Sequence, residues 1–157
     1  MTNQLISEGK MSLTTKSQIE VVMVPPALVD ENDSITIVAK VLLQTNKGCV
    51  FVTSVGEVVG IITERDVLRL ILKEGGMLST DIEAKDFMVK PVMTIPKIAT
   101  LAEADDLMAQ LNVNRIAVVE KENSLVVVGL IDIEILRSSI KTDFLKTLKK
   151  RQKYTQK

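Results

Sequence analysis

Gly60-Ile61-Ile62-Thr63-Glu64-Arg65-Asp66 closes an apolar run, Val58 to Ile62, and opens another, Val67-Leu68-Arg69-Leu70-Ile71-Leu72. The first run predicts a strand and the second a helix, so these seven residues mark a strand-to-helix junction. A hydroxyl and a carboxylate three residues apart at such a junction have two uses. Thr63 and Asp66 can form a capping box, each side chain satisfying the other's backbone N–H. Alternatively, free N–H groups and the positive helix end attract phosphate, while the carboxylate accepts hydrogen bonds from ribose hydroxyls. The residues alone favour the cap, because S/T-x-x-D/E is common ahead of helices. What brings the second use forward is the place of the junction in a repeat.

Outward from it, the chain makes two passes through one pattern. Residues 1–18 are polar and aperiodic, a loose or strap-like lead-in. An apolar run, Ile19 to Val24, stops at Pro25-Pro26, which hold the backbone extended. Ala27-Leu28-Val29 predicts a short strand, and Ser34 caps a helix striped by Ile35, Val38 and Leu42. Strands at Cys49 to Thr53 and Glu57 to Ile62 flank a hairpin-like Ser54-Val55-Gly56. The helix from Glu64 stops at Gly75-Gly76. The second pass opens with Val92-Met93-Thr94 as a strand. Thr100-Leu101-Ala102-Glu103 is another capping box, heading a stripe of Leu101, Ala104, Met108 and Leu111. Strands at Arg115 to Val119 and Val126 to Ile131 follow. A long helix then starts near Asp132, with Ile133, Leu136, Ile140, Phe144 and Leu148 on one face.

The pattern β-α-β-β-α thus occurs twice, with an offset of about 66 to 69 residues (Ser34 to Thr100, Val52 to Val119, Gly60 to Gly129). A unit of about 60 residues buries little surface alone, and two units packed sheet to sheet relieve that and leave clefts between them. The expected division is a lead-in at 1–18, units at 19–77 and 78–140, and a C-terminal helix or tail at 141–157.

Composition narrows the function. The chain has 157 residues, is 46% hydrophobic, and carries three Phe, one Tyr and no Trp, which fits an aliphatic α/β core. No long apolar run or secretory leader is visible, so neither a membrane span nor secretion is expected. A single cysteine, Cys49, excludes an intrachain disulfide and fits a reducing cytoplasm. Without histidine, the usual zinc sites and the Ser-His-Asp and Cys-His arrangements cannot be built. Net charge is zero but uneven. Residues 141–157 hold seven Lys/Arg and one acid, for +6, while the preceding 140 hold 13 basic and 19 acidic residues, for −6.

Val-Val-Gly-Ile-Ile-Thr-Glu-Arg-Asp-Val-Leu (58–68), the Gly-Cys-Val-Phe-Val before it and Asp-Phe-Met-Val-Lys-Pro-Val-Met-Thr-Ile (86–95) resemble the cystathionine-β-synthase (CBS) domain. Two in tandem form a Bateman module, and the likeness spans about residues 19–140. It implies an α/β (α+β) fold of two pseudo-symmetric units packed sheet to sheet, dimerising into a flat disk. It also implies adenosine ligands in the clefts: AMP, ADP or ATP, with S-adenosylmethionine or NAD as further options, and no cofactor. The family's phosphate and ribose contacts map onto Thr63, Asp66 and the adjacent Arg65. Its base pocket corresponds to Pro26, Ala27 and Leu28 with Val50 and Phe51, residues that equally suit an ordinary core. Arg115, at the start of its strand, is either a phosphate contact from the other half or a surface arginine.

The second half departs from the motif. Gly129-Leu130-Ile131-Asp132-Ile133-Glu134-Ile135 has Asp132 in place of Thr63 and Ile135 in place of Asp66. Ile135 cannot bind ribose, and Asp132 repels phosphate while remaining a sound N-cap. One competent and one degraded cleft are expected. The function implied is a non-enzymatic sensor of an adenine nucleotide, signalling through a homodimer or an unidentified protein partner. The alternative is a scaffold with vestigial clefts that acts through its basic C-terminal helix on a protein or, less readily, a nucleic acid.

Overall fold

Runs of β-branched residues covered on both faces build the centre of the molecule. The computed structural model describes residues 14–140. After a single 3-10 turn, Ile19–Val21, the order is β1 (Leu28–Asp30), α1 (Ile35–Thr45), β2 (Cys49–Ser54), β3 (Glu57–Thr63) and α2 (Glu64–Lys73). Then come α3 (Ala84–Phe87), β4 (Thr94–Pro96), α4 (Leu101–Leu111), β5 (Arg115–Val119) and β6 (Val127–Asp132). Residues 133–140 are helical and are called α5.

Each half holds a three-stranded sheet, β1-β2-β3 or β4-β5-β6, with the first pair parallel and the second antiparallel. The register equates Val52 with Val118, Cys49 with Arg115 and Thr63 with Asp132, and the hydrogen-bond ladder shifts at Val52/Thr53 and again at Val118/Val119. The bulge is therefore part of the duplicated design. One face of each sheet is covered by helices. The other meets its counterpart, where Cys49, Phe51 and Val58 of the first half bury against Ala117, Val127 and Leu130 of the second. The sheet-to-sheet arrangement expected from the sequence is the one observed.

Helix boundaries follow local chemistry. The Ser34 hydroxyl accepts from Ile37 N–H, and α1 ends on Asn46 in the left-handed conformation, as α4 does on Asn112. The four-residue α3 leaves no periodicity in the sequence to read. Of the apolar face expected on the last helix, Leu136 is fully buried, with Ile133 and Ile140 packed beside it. Phe144 and Leu148 lie outside the described residues.

The segments that precede the first strand of each half are exchanged. Ile19 is fully buried in the core of the second half, among Ile95, Leu101, Ile116 and Leu136. Its N–H donates to the Ala99 carbonyl (2.8 Å), and Val24 trades both backbone bonds with Leu130 (3.0 and 2.8 Å). In mirror image, Ala84 is buried in the core of the first half, and Val89 trades both bonds with Ile61 (3.0 and 2.9 Å). Met-Val-x-Pro occurs in each crossing segment, at Met23-Val24-Pro25-Pro26 and Met88-Val89-Lys90-Pro91. The two methionines lie across the two motif glycines. A Cβ on Gly129 meets the Met23 sulfur at 2.6 Å, and one on Gly60 collides with the stem of Met88. Glycine stands at both positions so that the crossing strand can approach.

Candidate functional site

The junction that opens α2 is a complete capping box. Thr63 Oγ1 accepts from Asp66 N–H (3.3 Å), and Asp66 Oδ2 accepts from both Thr63 N–H (2.8 Å) and Thr63 Oγ1 (2.6 Å). Asp66 Oδ1 has only a long contact, 3.5 Å, with the exposed guanidinium of Arg69. One carboxylate oxygen is thus committed to the helix, while the other is held weakly by an exposed surface group.

Thr63, Arg65 and Asp66 border a cleft of about 600 Å³, together with Arg69 and, from the second half, Asn114 and Arg115. An apolar recess of about 240 Å³ adjoins it, lined by Val89, Pro91, Val92, Met93 and Val113 and sharing Thr63 and Arg115. Arg115 lies against Gly48, whose φ is +69°; a Cβ there sits 2.7 Å from Arg115 Nη2. Glycine serves both the turn and the close approach. Arg115 Nε is buried and, among the described residues, has no hydrogen-bond partner. A guanidinium left with an unsatisfied buried donor beside an open cleft is poised for an anion.

A second cleft, of about 550 Å³, lies beside Asp132 and shares Gly48, Glu64, Asn114 and Arg115 with the first. Its helix is capped differently: Asp132 Oδ1 accepts from Ile135 N–H at 2.8 Å. Three arginines (65, 69, 115) face two acids (Glu64, Asp66) in the first cleft. In the second, Lys47 and Arg115 face Glu64, Asp132 and Glu134, and Lys47 is turned to the Pro25 carbonyl. The balance changes sign from one cleft to the other.

Of the nine residues singled out in the sequence, the structure brings Thr63, Arg65, Asp66 and Arg115 to one cleft. Pro26, Ala27, Leu28, Val50 and Phe51 are not on its walls. Val50 and Phe51 have no exposed surface and Ala27 is 4% exposed, so all three are core. The exchange is the physical reason. Residues 89–93 reach the first cleft from the second half, whereas the segment holding Val24 borders the second cleft. Lining residues that the sequence did not single out are Val89, Pro91, Val92, Met93, Val113 and Arg69. The repeated Met-Val-x-Pro was the available signal. Cys49 is a core thiol, as expected, with burial pushing its pKa up to about 11 against the opposing pull of Arg115.

The model of the CBS domain matches this chain twice, over residues 18–73 and 84–141. The chain belongs to the CBS-domain family. Among solved structures it is similar to the CBS domain of a CBS-domain-containing membrane protein from Sphaerobacter thermophilus. The identity is 27% over 80% of this chain and 89% of that one, with a TM-score of 0.67. A CBS domain protein from Pyrobaculum aerophilum, complexed with AMP, is 24% identical over 76% and 89% of the two chains, with a TM-score of 0.64. A CBS domain pair in complex with 5′-methylthioadenosine and S-adenosyl-L-methionine is 22% identical over 78% and 94%, with a TM-score of 0.66. No curated protein matches the sequence significantly. Among the described residues, no helix is long and apolar enough to cross a membrane, and no group of three or more His, Cys, Asp or Glu is placed to hold a metal.

Proposed function

We propose that this CBS pair is a cytoplasmic sensor of an adenine nucleotide, AMP, ADP or ATP, bound one per chain in the first cleft. The observation that carries the reading is Arg115, whose buried Nε lacks a partner among the described residues, at the edge of a cleft headed by the N-terminus of α2. The phosphates lie between that helix end and the guanidinium of Arg115. The ribose takes Asp66 Oδ1, releasing Arg69, an exchange that costs little because the 3.5 Å contact is exposed. The base enters the recess of Val89, Pro91, Val92 and Met93 in place of the pocket first expected at residues 26–28 and 50–51. Relatives crystallised with AMP or with S-adenosyl-L-methionine support an adenosine ligand. The chain regulates rather than catalyses. Because Arg115 and Asn114 come from the second half, a ligand closes one half on the other, and the shift passes to a second copy or a partner through the exposed Leu43, Leu68 and Leu72 of α1 and α2.

Calorimetric titration with AMP, ADP, ATP, S-adenosylmethionine and NAD tests this, alongside Asp66→Ala and Arg115→Gln. The expected result is one site per chain, weakened on the order of tenfold or more by either substitution. Unchanged affinity in both variants means that the site is elsewhere. Failure of all five ligands leaves Thr63 and Asp66 as a helix cap and no more.

A further inference from the structure

A further depression, of about 420 Å³, is lined by residues of the second half alone and shares none of them with either cleft. Its floor is apolar: Ile95, Pro96, Ala99 and Leu107. Its rim is acidic: Glu103, Asp106 and Glu122, with no basic residue among the described residues that line it. Among the described residues none of the three forms an ion pair, whereas nearby Glu120 is paired with Lys97 (2.6 Å). Glu103 stays ionised, because the Thr100 N–H and hydroxyl hold its pKa below the usual carboxylate value. An apolar floor with an unbalanced acidic rim fits a basic amphipathic segment.

This chain carries one. Residues 141–157 hold seven Lys/Arg against Asp143, with Phe144, Leu145 and Leu148 supplying apolar surface. Ile140 packs against the same core as Ile95, Ala99 and Leu107. The 17 residues that follow span at most about 60 Å extended, or about 25 Å if helical, enough to double back onto α4. We propose that the C-terminal segment 141–157 of the same chain docks in the groove of β4 and α4, its lysines against Glu103, Asp106 and Glu122. Attachment through one short connection raises the local concentration of the segment, so weak exposed pairs suffice to hold it.

Zero-length carbodiimide cross-linking of the full-length protein, read by mass spectrometry, tests this. At about 50 mM salt, links are expected within one chain, from Lys146, Lys149, Lys150 or Lys153 to Asp106 or Glu122, and their yield drops severalfold at about 0.5 M salt. Links mainly to the acidic stretches 30–33 and 81–86, links joining two copies, or no links at all overturn the proposal. Trypsin supplies an independent readout. Cleavage after Lys149 to Lys153 is expected to accelerate on the order of tenfold in Asp106→Asn/Glu122→Gln, while cleavage after Lys73 stays unchanged. Equal rates at the tail in parent and variant also overturn it.

Discussion

Helices α2 and α5 begin at equivalent points of the two halves, each on the last residue of an antiparallel strand. Thr63 and Asp132 both cap, yet the first adds a hydroxyl to the helix end and the second adds a charge. The same contrast holds across the strand pair. Opposite Thr63 stands Cys49, a buried thiol, and opposite Asp132 stands Arg115. Each half thus supplies what the other lacks: the phosphate-tolerant helix end comes from the first, and the guanidinium that faces it from the second. Stability and binding are separable demands on one motif. Both junctions meet the first demand, and on the function proposed above the arginines of the first cleft serve the second.

The strongest way to break this comparison is to exchange the motifs. Asp132→Thr with Ile135→Asp is expected to raise calorimetric stoichiometry from one nucleotide per chain toward two. Thr63→Asp with Asp66→Ile is expected to cost on the order of a hundredfold in affinity at the first cleft, since a carboxylate then faces phosphate. If the first swap adds no site, the second cleft lacks more than its motif.

Gly60→Ala and Gly129→Ala probe what the halves share. Each inserts a methyl group where a methionine of the other half crosses, and each is expected to cost about 1–3 kcal/mol in denaturant unfolding. A large loss at one position alone contradicts the symmetry of the exchange. The caps come next in size: Asp66→Ala and Asp132→Ala should each cost about 1 kcal/mol, though only the first should affect nucleotide affinity. The smallest effect belongs to Cys49. Its folded pKa, about 11, lies above its unfolded value near 9, so the stability held by the neutral thiol is present below pH 9 and lost as pH rises toward 11. Loss of about 1 kcal/mol by pH 10 is expected, and Cys49→Ala should remove that part of the decline.

Much of this was legible in the residues. The strands of Val and Ile, the caps at Ser34, Thr63 and Thr100, and the duplicated order announce themselves because strand period, helix stripe and capping chemistry act within a few residues. The degraded motif at Asp132 and Ile135 was legible for the same reason. The walls of the first cleft were not. Pro26 to Leu28 precede the same strand in their half that Pro91 to Met93 precede in theirs, and nothing local says which cleft either segment borders. Val50 and Phe51 read equally as core or pocket, and burial decided for core. Only the contact of Val24 with Leu130 and of Val89 with Ile61 assigns the walls, and such long-range pairing leaves no periodic trace.

The crossing of Ile19 and Ala84 bears on how the chain is made. The first half cannot close its core until residues 84–89 have left the ribosome, well after α2 has been synthesised. The second half is completed by Ile19, produced about 80 residues before Ile95 and left waiting for a place. The first half therefore closes within one contiguous stretch, residues 27–89, whereas the second must reach back across all of it to Ile19, so translation is expected to complete the first half before the second. A nick in the connection near Gly75-Gly76 should for the same reason leave two fragments that hold each other, each carrying the piece that the other needs.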